Sequence, residues 1–362
     1  MHWLPAILIL PYIFLLLKIY RSLLKIKPFE ATTIPITFVS VVVACRNEQE
    51  QLPHLLRSIS EQDYPAGLFE VIIVDDNSTD KTWEIASGLK GRTNIFTIYN
   101  KGSGKKHALR TGINVASGKL IVTTDADCRM GKNWIRTIAS FYETYKPDMI
   151  ICPVQVESLP GFFGRFQELE FLSLQGITAG SAFQGQGTMC NGANLAFTKE
   201  AYLKNADNLH FEIATGDDVF FLHSLKKQIR SKILWLESPE ALVTTVSSPT
   251  AGAYFRQRRR WISKSKAYND TFSIILGIVT FVTILLQVSL LVAGIIDKTF
   301  LVVFLYVLLL KSVPDFLILL NISSKYGRKK LMNWFLPAQI VYPFYVLSVV
   351  IYSLIFPQSK EH

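Results

Sequence analysis

Long apolar stretches lie at both ends of the chain, whereas its middle alternates short apolar runs with polar segments. The stretches cover residues 3–17 near the N-terminus and 272–296, 299–320 and 333–356 near the C-terminus. About 20 apolar residues cross the hydrocarbon core of a bilayer, so each C-terminal stretch predicts a membrane-spanning helix. Basic residues follow the first stretch instead of preceding it, which indicates a retained anchor and not a cleaved signal peptide.

Two basic clusters predict the orientation of these four spans. The first cluster follows the anchor and the second lies between the last two spans: Lys18, Arg21, Lys25 and Lys27, then Lys325, Arg328, Lys329 and Lys330. Both fall in the cytoplasm by the positive-inside rule if the middle of the chain is cytoplasmic. We therefore predict an integral protein of the bacterial inner membrane, with an anchor and basic flank at 1–27, a cytoplasmic domain at 28–268 and three membrane helices at 269–362.

The net charge of +10 does not by itself indicate a nucleic-acid partner. Much of the excess lies beside the membrane spans, where it sets orientation and contacts anionic lipid, so we expect no nucleic acid to bind. The cysteines have no metal-like spacing and fall in the predicted cytoplasmic segment, where disulfides are rare: Cys45, Cys128, Cys152 and Cys190. We expect four free thiols.

Strands and helices alternate along the first part of the middle segment. The predicted strands are 37–44, 69–74, 94–99 and 119–124, and the predicted helices are 48–60, 80–89 and 107–116. This order is typical of an α/β fold with a mostly parallel sheet, in which ligands bind beyond the carboxyl ends of the strands. Further along, we predict helices at 134–145 and 216–229, a strand at 149–156, and an aromatic, amphipathic segment at 161–176. The segment 250–268 is basic and leads directly into the second membrane span.

Polar clusters follow three of these strands, at residues 45–48, 75–78 and 125–127. Asp125 and Asp127 can converge on one cation where the chain turns, and such oxygen ligands favour Mg²⁺ or Mn²⁺ bound together with substrate phosphates. Alone, the pair would be interpreted as a helix cap, since Asp is a common N-cap. Its position at the end of a strand favours the metal site.

Two other acidic pairs allow both structural and chemical interpretations. Asp75 and Asp76 precede a helix, but Ser78 or Asp80 suffices as its cap, which leaves a carboxylate able to accept a hydrogen bond from a nucleobase. Asp217 and Asp218 begin a helix, where acids complement the dipole. Alternatively, one of them is a general base that removes the proton from a sugar hydroxyl.

Three basic or charged segments also keep two interpretations. The segment 102–106 (GSGKK) is a flexible turn or a phosphate-binding loop, but it lacks the Walker spacing. The segment 257–261 (QRRRW) is a basic interfacial helix, or its Arg260 neutralises a diphosphate. Lys311 and Asp315 lie four residues apart inside a predicted span. They form either a local ion pair or a functional site.

Seven motifs in order make the chain similar to the family 2 glycosyltransferases, over residues 37–261 and the flanking spans. They are VVVACRNE, VIIVDDNSTD, GSGKKHAL, TTDADC, NGANLAF, TGDDVFF and QRRRW. The chain most resembles the membrane-integrated branch, which contains cellulose, hyaluronan and ceramide-glucoside synthases. The resemblance implies a GT-A fold, a nucleotide-diphospho-sugar donor, for which we expect a UDP-sugar, and inversion at the sugar carbon.

The resemblance also implies which residues bind the donor. Asp76 would contact the nucleobase, and its pocket would be lined by Ala44, Arg46 and Glu48. Lys105, in the GSGKKHAL motif, would belong to the same donor site.

For the transfer itself, the resemblance implies that Asp125 lies by the ribose and the metal and that Asp127 binds the metal. Asp218 would be the catalytic base, although the family commonly has Glu-Asp where this chain has Asp217-Asp218. A further group would cover the donor diphosphate and the mouth of the acceptor site: Gln257, Arg260 and Trp261.

The number of membrane spans bears on the acceptor. Only three spans follow the domain, fewer than in the large polymer-extruding synthases, which favours a lipid or lipid-linked acceptor that reaches the site near Phe162, Phe163 and Phe166. The alternative is a processive polysaccharide synthase with a glycan acceptor. A third hypothesis, an inactive scaffold, is disfavoured because the metal pair and the base are both present.

Overall fold

The computed structural model describes residues 7–88, 94–211, 213 and 215–356. They form two compact units. The helical unit comprises residues 7–26, 158–188 and 247–356, and the sheet unit comprises the described residues between 27 and 157 and between 189 and 246.

The strands of the sheet unit form two sheets. The strands are β1 Val39–Cys45, β2 Phe69–Asp75, β3 Ile95–Tyr99, β4 Leu120–Asp125, β5 Arg129–Met130, β6 Met149–Ile151, β7 Val154–Glu157, β8 Leu195–Thr198, β9 Ile233–Trp235 and β10 Val243–Val246. The larger sheet has the order β3-β2-β1-β4-β8-β6-β9, and its first four strands are parallel. The smaller sheet has the order β5-β10-β7. The predicted mostly parallel α/β sheet is confirmed.

The helices in chain order are α1 Leu10–Leu23, α2 Leu52–Ser60, α3 Thr82–Ser87, α4 Lys105–Val115, α5 Trp134–Tyr145, α6 Phe162–Phe183, α7 Lys199–Asn205, α8 Asp217–Lys226, α9 Ala251–Ser265, α10 Thr271–Ile296, α11 Thr299–Lys325 and α12 Phe335–Ile355. Helix α4 packs closely on the central strands because it carries Gly112. A Cβ there would lie 2.6 Å from a methyl of Val42 and 2.9 Å from one of Val74. Any larger residue would push the helix, which begins at Lys105, away from the sheet.

The predicted strand 149–156 is wrong, because β6 and β7 are separate strands in different sheets. Pro153 lies between them and has no N–H to donate to a ladder, which explains the break. The predicted helix 48–60 is shorter in the structure, where α2 begins at Leu52, and the N–H of Glu48 donates to the Thr82 hydroxyl at 2.7 Å. The predicted helix 80–89 runs over Thr82–Ser87, and its predicted last residue lies outside the described residues.

The helical unit contains three helical segments that are long and apolar enough to cross a membrane, within the part of the chain that the structure describes. They are Thr271–Ile296, Thr299–Lys325 and Lys329–Ile355, and they agree with the three predicted C-terminal spans. The predicted first span falls partly on residues 3–6, which lie outside the described residues. Its described part is α1, which also contains Lys18 and Arg21.

An apolar core joins the helices of this unit. Its buried members come from α6, α9, α11, α12 and the turn before α12: Phe166, Leu169, Leu172, Tyr254, Leu319, Ile322, Leu331, Phe335 and Ala338. Helix α1 packs against α6 at Gly180, where a Cβ would lie 2.6 Å from a methyl of Ile19. The segment 161–176, predicted to be amphipathic, therefore forms part of a helix that is buried on more than one face.

Candidate active site

The carboxyl ends of β2, β1 and β4 lie side by side and bring the three polar clusters together. In the sheet register Ala44 pairs with Asp125 on one side and Val74 on the other, and Cys45 pairs with Asp75. The N–H of Asp76 donates to the Cys45 carbonyl at 2.9 Å. This adjacency follows from parallel pairing, because parallel strands end at the same edge of a sheet.

The loops after β1 and β2 are joined by hydrogen bonds. Asn47 and Asn77 both have φ of 57°, a left-handed conformation that Asn tolerates better than most residues. The N–H of Asn47 donates to the Ser78 hydroxyl at 3.0 Å. Asp80 accepts from the N–H of Thr82 at 2.9 Å and so holds the start of α3, although the N-cap position itself is Lys81.

Asp76 fastens the glycine loop that precedes α4. Its carboxylate is buried and accepts from the N–H of Gly104 at 3.0 Å and from the Asn100 amide at 2.6 Å. Gly104 has φ of 87°, which favours glycine at this position. The predicted nucleobase contact of Asp76 stays a prediction. The structure adds that Asp76 positions the loop bearing Lys105.

Lys105 and Asp125 form an ion pair at the edge of the sheet, with 2.5 Å between Nζ and Oδ1. Their side chains are 44% and 31% exposed, so the pair is accessible to a ligand. Desolvation lowers the pKa of Lys105, but the charges of Asp125, Asp217 and Asp218 outweigh it and hold this pKa above its ordinary value. The lysine therefore carries the positive charge of a predominantly acidic site.

Asp127 is oriented by the smaller sheet. Its Oδ2 accepts from the hydroxyl of Thr245, on β10, at 2.9 Å. Burial and then the charge of Asp125 raise the pKa of Asp127. Burial, followed by the charges of Asp127 and Asp125, raises the pKa of the nearby Glu48 to about 7. The site thus holds more negative charge than its own lysine balances.

This excess of carboxylate charge fits a divalent cation. Within the described residues no group of three or more His, Cys, Asp or Glu side chains has metal-binding geometry. Two carboxylates, those of Asp125 and Asp127, are nevertheless compatible with Mg²⁺ or Mn²⁺, because such ions take further ligands from water and substrate phosphates. The residues present therefore fit an ion that arrives with its phosphate ligand.

Asp218 lies in the first turn of α8, after Gly216, whose φ is 90°. Its Oδ2 accepts from the N–H of Gly192 at 3.1 Å and its Oδ1 from the N–H of Val219 at 2.8 Å. These two N–H donors fix the direction of the carboxylate. Gly192 belongs to the NGANLAF motif, which sequence reasoning matched without assigning it a role.

The three predicted residues of the QRRRW segment lie on α9, in the helical unit. Arg260 is exposed, whereas Arg258 is buried and pairs with Glu170 of α6. Gln257 accepts a hydrogen bond from Arg258 at 3.1 Å. The centre of the Trp261 ring lies 4.0 Å from the guanidinium carbon of Arg258. Sequence reasoning overlooked Arg258. The available signal was Tyr254, one helical turn away, whose ring lies 4.6 Å from the same guanidinium.

The sheet with this acidic edge has a GT-A-like fold, and the helical unit contains three candidate membrane spans within the described residues. Residues 40–206 match the family described as Glycosyl transferase family 2. The similarity to this family extends over a little less than half of the chain and supports a glycosyltransferase.

Two relatives and one solved structure illustrate the similarity. The poly-beta-1,6-N-acetyl-D-glucosamine synthase of Staphylococcus epidermidis is 24% identical, over 95% of this chain and 90% of that protein. The beta-monoglucosyldiacylglycerol synthase of a Nostoc species is 26% identical, over 66% of this chain and 51% of that protein. The mannosyltransferase PcManGT from Pyrobaculum calidifontis, in complex with GDP-Man and Mn²⁺, shares the fold with a TM-score of 0.59 and 19% identity, over 99% of this chain and 100% of that one.

Proposed function

We propose that this enzyme transfers a sugar, with inversion, from a nucleotide-diphospho-sugar to a lipid or lipid-linked acceptor at the cytoplasmic face of the membrane. The observation that carries the proposal is the accessible Lys105–Asp125 pair beside Asp127 at the carboxyl edge of the sheet. A lysine near a cluster of carboxylates provides both signs of charge that a diphosphate and its counterion require.

The donor would bind along this edge. Asp76, Ala44, Arg46 and Glu48 would line the nucleobase pocket, for which we propose uridine. Lys105 would exchange its bond to Asp125 for one to a donor phosphate. The hydrogen bond from Gly104 to Asp76 supports this exchange, because it holds the glycine loop in place when Lys105 releases Asp125.

Asp127 and Asp125 would hold Mg²⁺ or Mn²⁺, which supplies positive charge to the departing diphosphate. Asp218 would accept the proton of the acceptor hydroxyl as its oxygen attacks the anomeric carbon. The bond from that carbon to the diphosphate oxygen then breaks, and the nucleoside diphosphate leaves. Exposed Arg260 would interact with the same leaving group, with Gln257 and Trp261 beside it, as the family resemblance implies.

A lipid acceptor is supported by the three helical segments of membrane-spanning length and by the similarity to a monoglucosyldiacylglycerol synthase. The alternative is a polysaccharide synthase. One observation favours it: similarity to the poly-beta-1,6-N-acetyl-D-glucosamine synthase extends over 95% of this chain. The two acceptors give products of different solubility and can therefore be separated experimentally.

The test uses the purified full chain with radiolabelled nucleotide sugars, Mn²⁺ and a membrane lipid extract. A product with one sugar that partitions into organic solvent supports the lipid acceptor. A long water-soluble polymer refutes it and supports the synthase. A screen of nucleotide sugars for protection against thermal unfolding, with and without Mn²⁺, identifies the donor in the same preparation.

The proposed orientation places the domain at 28–268 in the cytoplasm of a bacterium, between an anchor at 1–27 and the membrane helices at 269–362. This orientation can be tested with single cysteines introduced near Asp125 and beside the 297–298 turn, in a cysteine-free background. A membrane-impermeant thiol reagent added to intact cells should label the turn only. Labelling near Asp125 would contradict the orientation.

A further inference from the structure

Lys106 is a buried lysine that directly follows Lys105 at the start of α4. Neighbouring residues on a helix point about 100° apart, so the two lysines face different surroundings. Lys105 reaches the accessible edge of the sheet, whereas Lys106 is 4% exposed. A buried ammonium group is costly unless it is paired or hydrogen-bonded, so the contacts of Lys106 indicate what it holds in place.

The ammonium group of Lys106 binds the backbone of the segment before α8 (described residues 209–211, 213, 215 and 216). Its Nζ donates to the carbonyl oxygens of Leu209, at 3.0 Å, and of His210, at 2.8 Å. It also lies 4.9 Å from the centre of the Phe220 ring, a cation–π contact with the first turn of α8. Lys106 therefore contacts the chain on both sides of the acidic pair that begins α8.

The backbone of His210 has an uncommon conformation that these bonds help to hold. Its φ is 52°, in the left-handed region that residues other than glycine rarely adopt. Its carbonyl accepts from Lys106 and also from the N–H of Ile213, at 2.9 Å. Sparsely populated conformations persist only where the surrounding structure fixes them. At His210, the lysine of α4 contributes to that fixation.

Two further side chains of α4 contact the same segment. The His107 ring lies 5.1 Å from the Phe211 ring, and the guanidinium carbon of Arg110 lies 4.9 Å from the centre of the Phe211 ring. Positions 106 and 110 are four residues apart and so share one face of the helix. This part of α4 therefore supports the segment before α8, while Lys105 faces the accessible edge of the sheet.

The start of α4 is itself fixed to the sheet, because the Asp76 carboxylate accepts from the N–H of Gly104. One helix start thus bears on both halves of the proposed reaction. It carries Lys105, which would bind the donor diphosphate, and it supports the segment that leads to Asp218. A base must lie within hydrogen-bond reach of the proton that it removes, so the position of Asp218 affects the rate of transfer.

We propose that Lys106 is a positioning residue for the transfer reaction, which holds the segment before α8 so that Asp218 meets the acceptor hydroxyl beside the bound donor. The inference rests on the proposed function, because that function assigns the base to Asp218. Lys106 contacts neither donor nor acceptor in this role. Its loss should therefore slow transfer without weakening donor binding, unlike the loss of Lys105.

Lys106→Met is the test variant, because methionine has a similar length but neither the charge nor the N–H donors. Lys101→Met, at an exposed lysine just before the glycine loop, is the matched control. Each full-length variant is purified, and its melting temperature confirms that it folds. Transfer is measured with a labelled nucleotide sugar, Mn²⁺ and a lipid extract, and donor affinity is measured by calorimetry.

Lys106→Met should lower kcat by about tenfold, since a small displacement of a catalytic group slows the reaction strongly. The KM for the donor and the calorimetric donor affinity should stay near the wild-type values. Lys106→Gln, which keeps an N–H donor without the charge, should show the same pattern with a smaller loss. Lys101→Met should change neither quantity.

Amide hydrogen exchange reports the position of the base independently of activity. The N–H groups of Gly192 and Val219 both donate to the Asp218 carboxylate. Lys106→Met should speed the exchange of both amides, while the amides of β4 stay protected as in the wild type. Wild-type exchange at both amides, an unchanged kcat, or a loss of donor affinity equal to the loss of kcat, in a folded Lys106 variant, would overturn the inference.

The failure of the proposed function has a different signature. A polymer as the product would refute the lipid acceptor, but the inference stands if Lys106→Met slows polymer formation in the same way. If a lipid receives sugar while Lys106→Met leaves kcat and both amides unchanged, the proposed function stands and the role of Lys106 is refuted.

Discussion

Replacing Glu48 with glutamine should stabilise the sheet unit at neutral and alkaline pH in the absence of metal. Glu48 is partly buried, which disfavours its charge, and its neighbours Asp127, Asp125 and Asp80 also repel that charge. Glutamine has nearly the same shape and carries no charge. The substitution therefore removes both the desolvation cost of the charge and the repulsion, and it leaves the packing unchanged.

The expected gain in unfolding free energy follows from the pKa of Glu48, which is about 7 against an ordinary value of 4.5. For a fully buried group that difference equals about 3 kcal/mol. Because Glu48 is partly exposed, solvent screening reduces the expected gain to about 1 kcal/mol. In a domain of this size, about 1 kcal/mol raises the melting temperature by about 2–4 °C.

The pH dependence has a definite sign. Between 4.5 and about 7 the unfolded chain loses the Glu48 proton while the folded chain keeps it, so the stability of the wild type falls as the pH rises through this window. Glutamine does not titrate. The advantage of the variant should therefore be small near pH 4.5, grow up to about pH 7 and stay constant above it.

A thiol-reactive fluorescent dye measures this unfolding in the sheet unit alone. All four cysteines lie there, and Cys45, Cys128 and Cys152 are buried. Glu50→Gln, an exposed neighbour with the same change in charge, is the control and should shift the melting temperature much less. With Mn²⁺ the wild type should melt at a higher temperature than Glu48→Gln, because the negative charge of Glu48 attracts the bound ion. An equal shift in both variants, or a gain that does not vary with pH, would refute the reasoning.

Three substitutions test the rest of the site and the helical unit. Asp127→Ala should abolish metal-dependent donor hydrolysis and transfer, measured as nucleoside diphosphate release with and without Mn²⁺. Asp218→Asn should stop transfer while donor affinity in calorimetry stays nearly intact, and Asp217→Asn should retain most of the activity; the opposite pattern would move the base to Asp217. Arg258→Met should cost about 3–5 kcal/mol of unfolding free energy by leaving Glu170 buried and unpaired, and adding Glu170→Gln should restore most of it in thermal denaturation.

The strand-end clusters could be predicted because they depend on local patterns. An apolar run with β-branched residues predicts a buried strand, and parallel pairing then brings the carboxyl ends together without knowledge of the register. The structure confirms this in the pairing of Ala44 with Asp125. The break at Pro153 carried a readable signal too, since proline disfavours a continuous central strand.

Partners far apart in the sequence could not be predicted in this way. Thr245 orients Asp127 across 118 positions, and no local pattern indicates which hydroxyl approaches which carboxylate. For the same reason, the local sequence does not indicate which of the two nearby arginines, Arg258 or Arg260, is buried. Only the burial of one helix face, fixed by the packing of α9 on its neighbours, decides which of them pairs with Glu170.

The charge distribution of the site connects its instability to its specificity. Burial, and then the repulsion between neighbouring carboxylates, disfavours the charged forms of Glu48 and Asp127 in the domain without metal, as their raised pKa values indicate. Lys105 offsets only part of this repulsion, and a diphosphate without a cation would increase it. A divalent ion and a diphosphate that bind together bring charges that largely cancel, so the acidic edge favours the metal-bound donor over the free nucleotide. The electrostatic strain of the empty site is thus the physical basis of its expected dependence on metal.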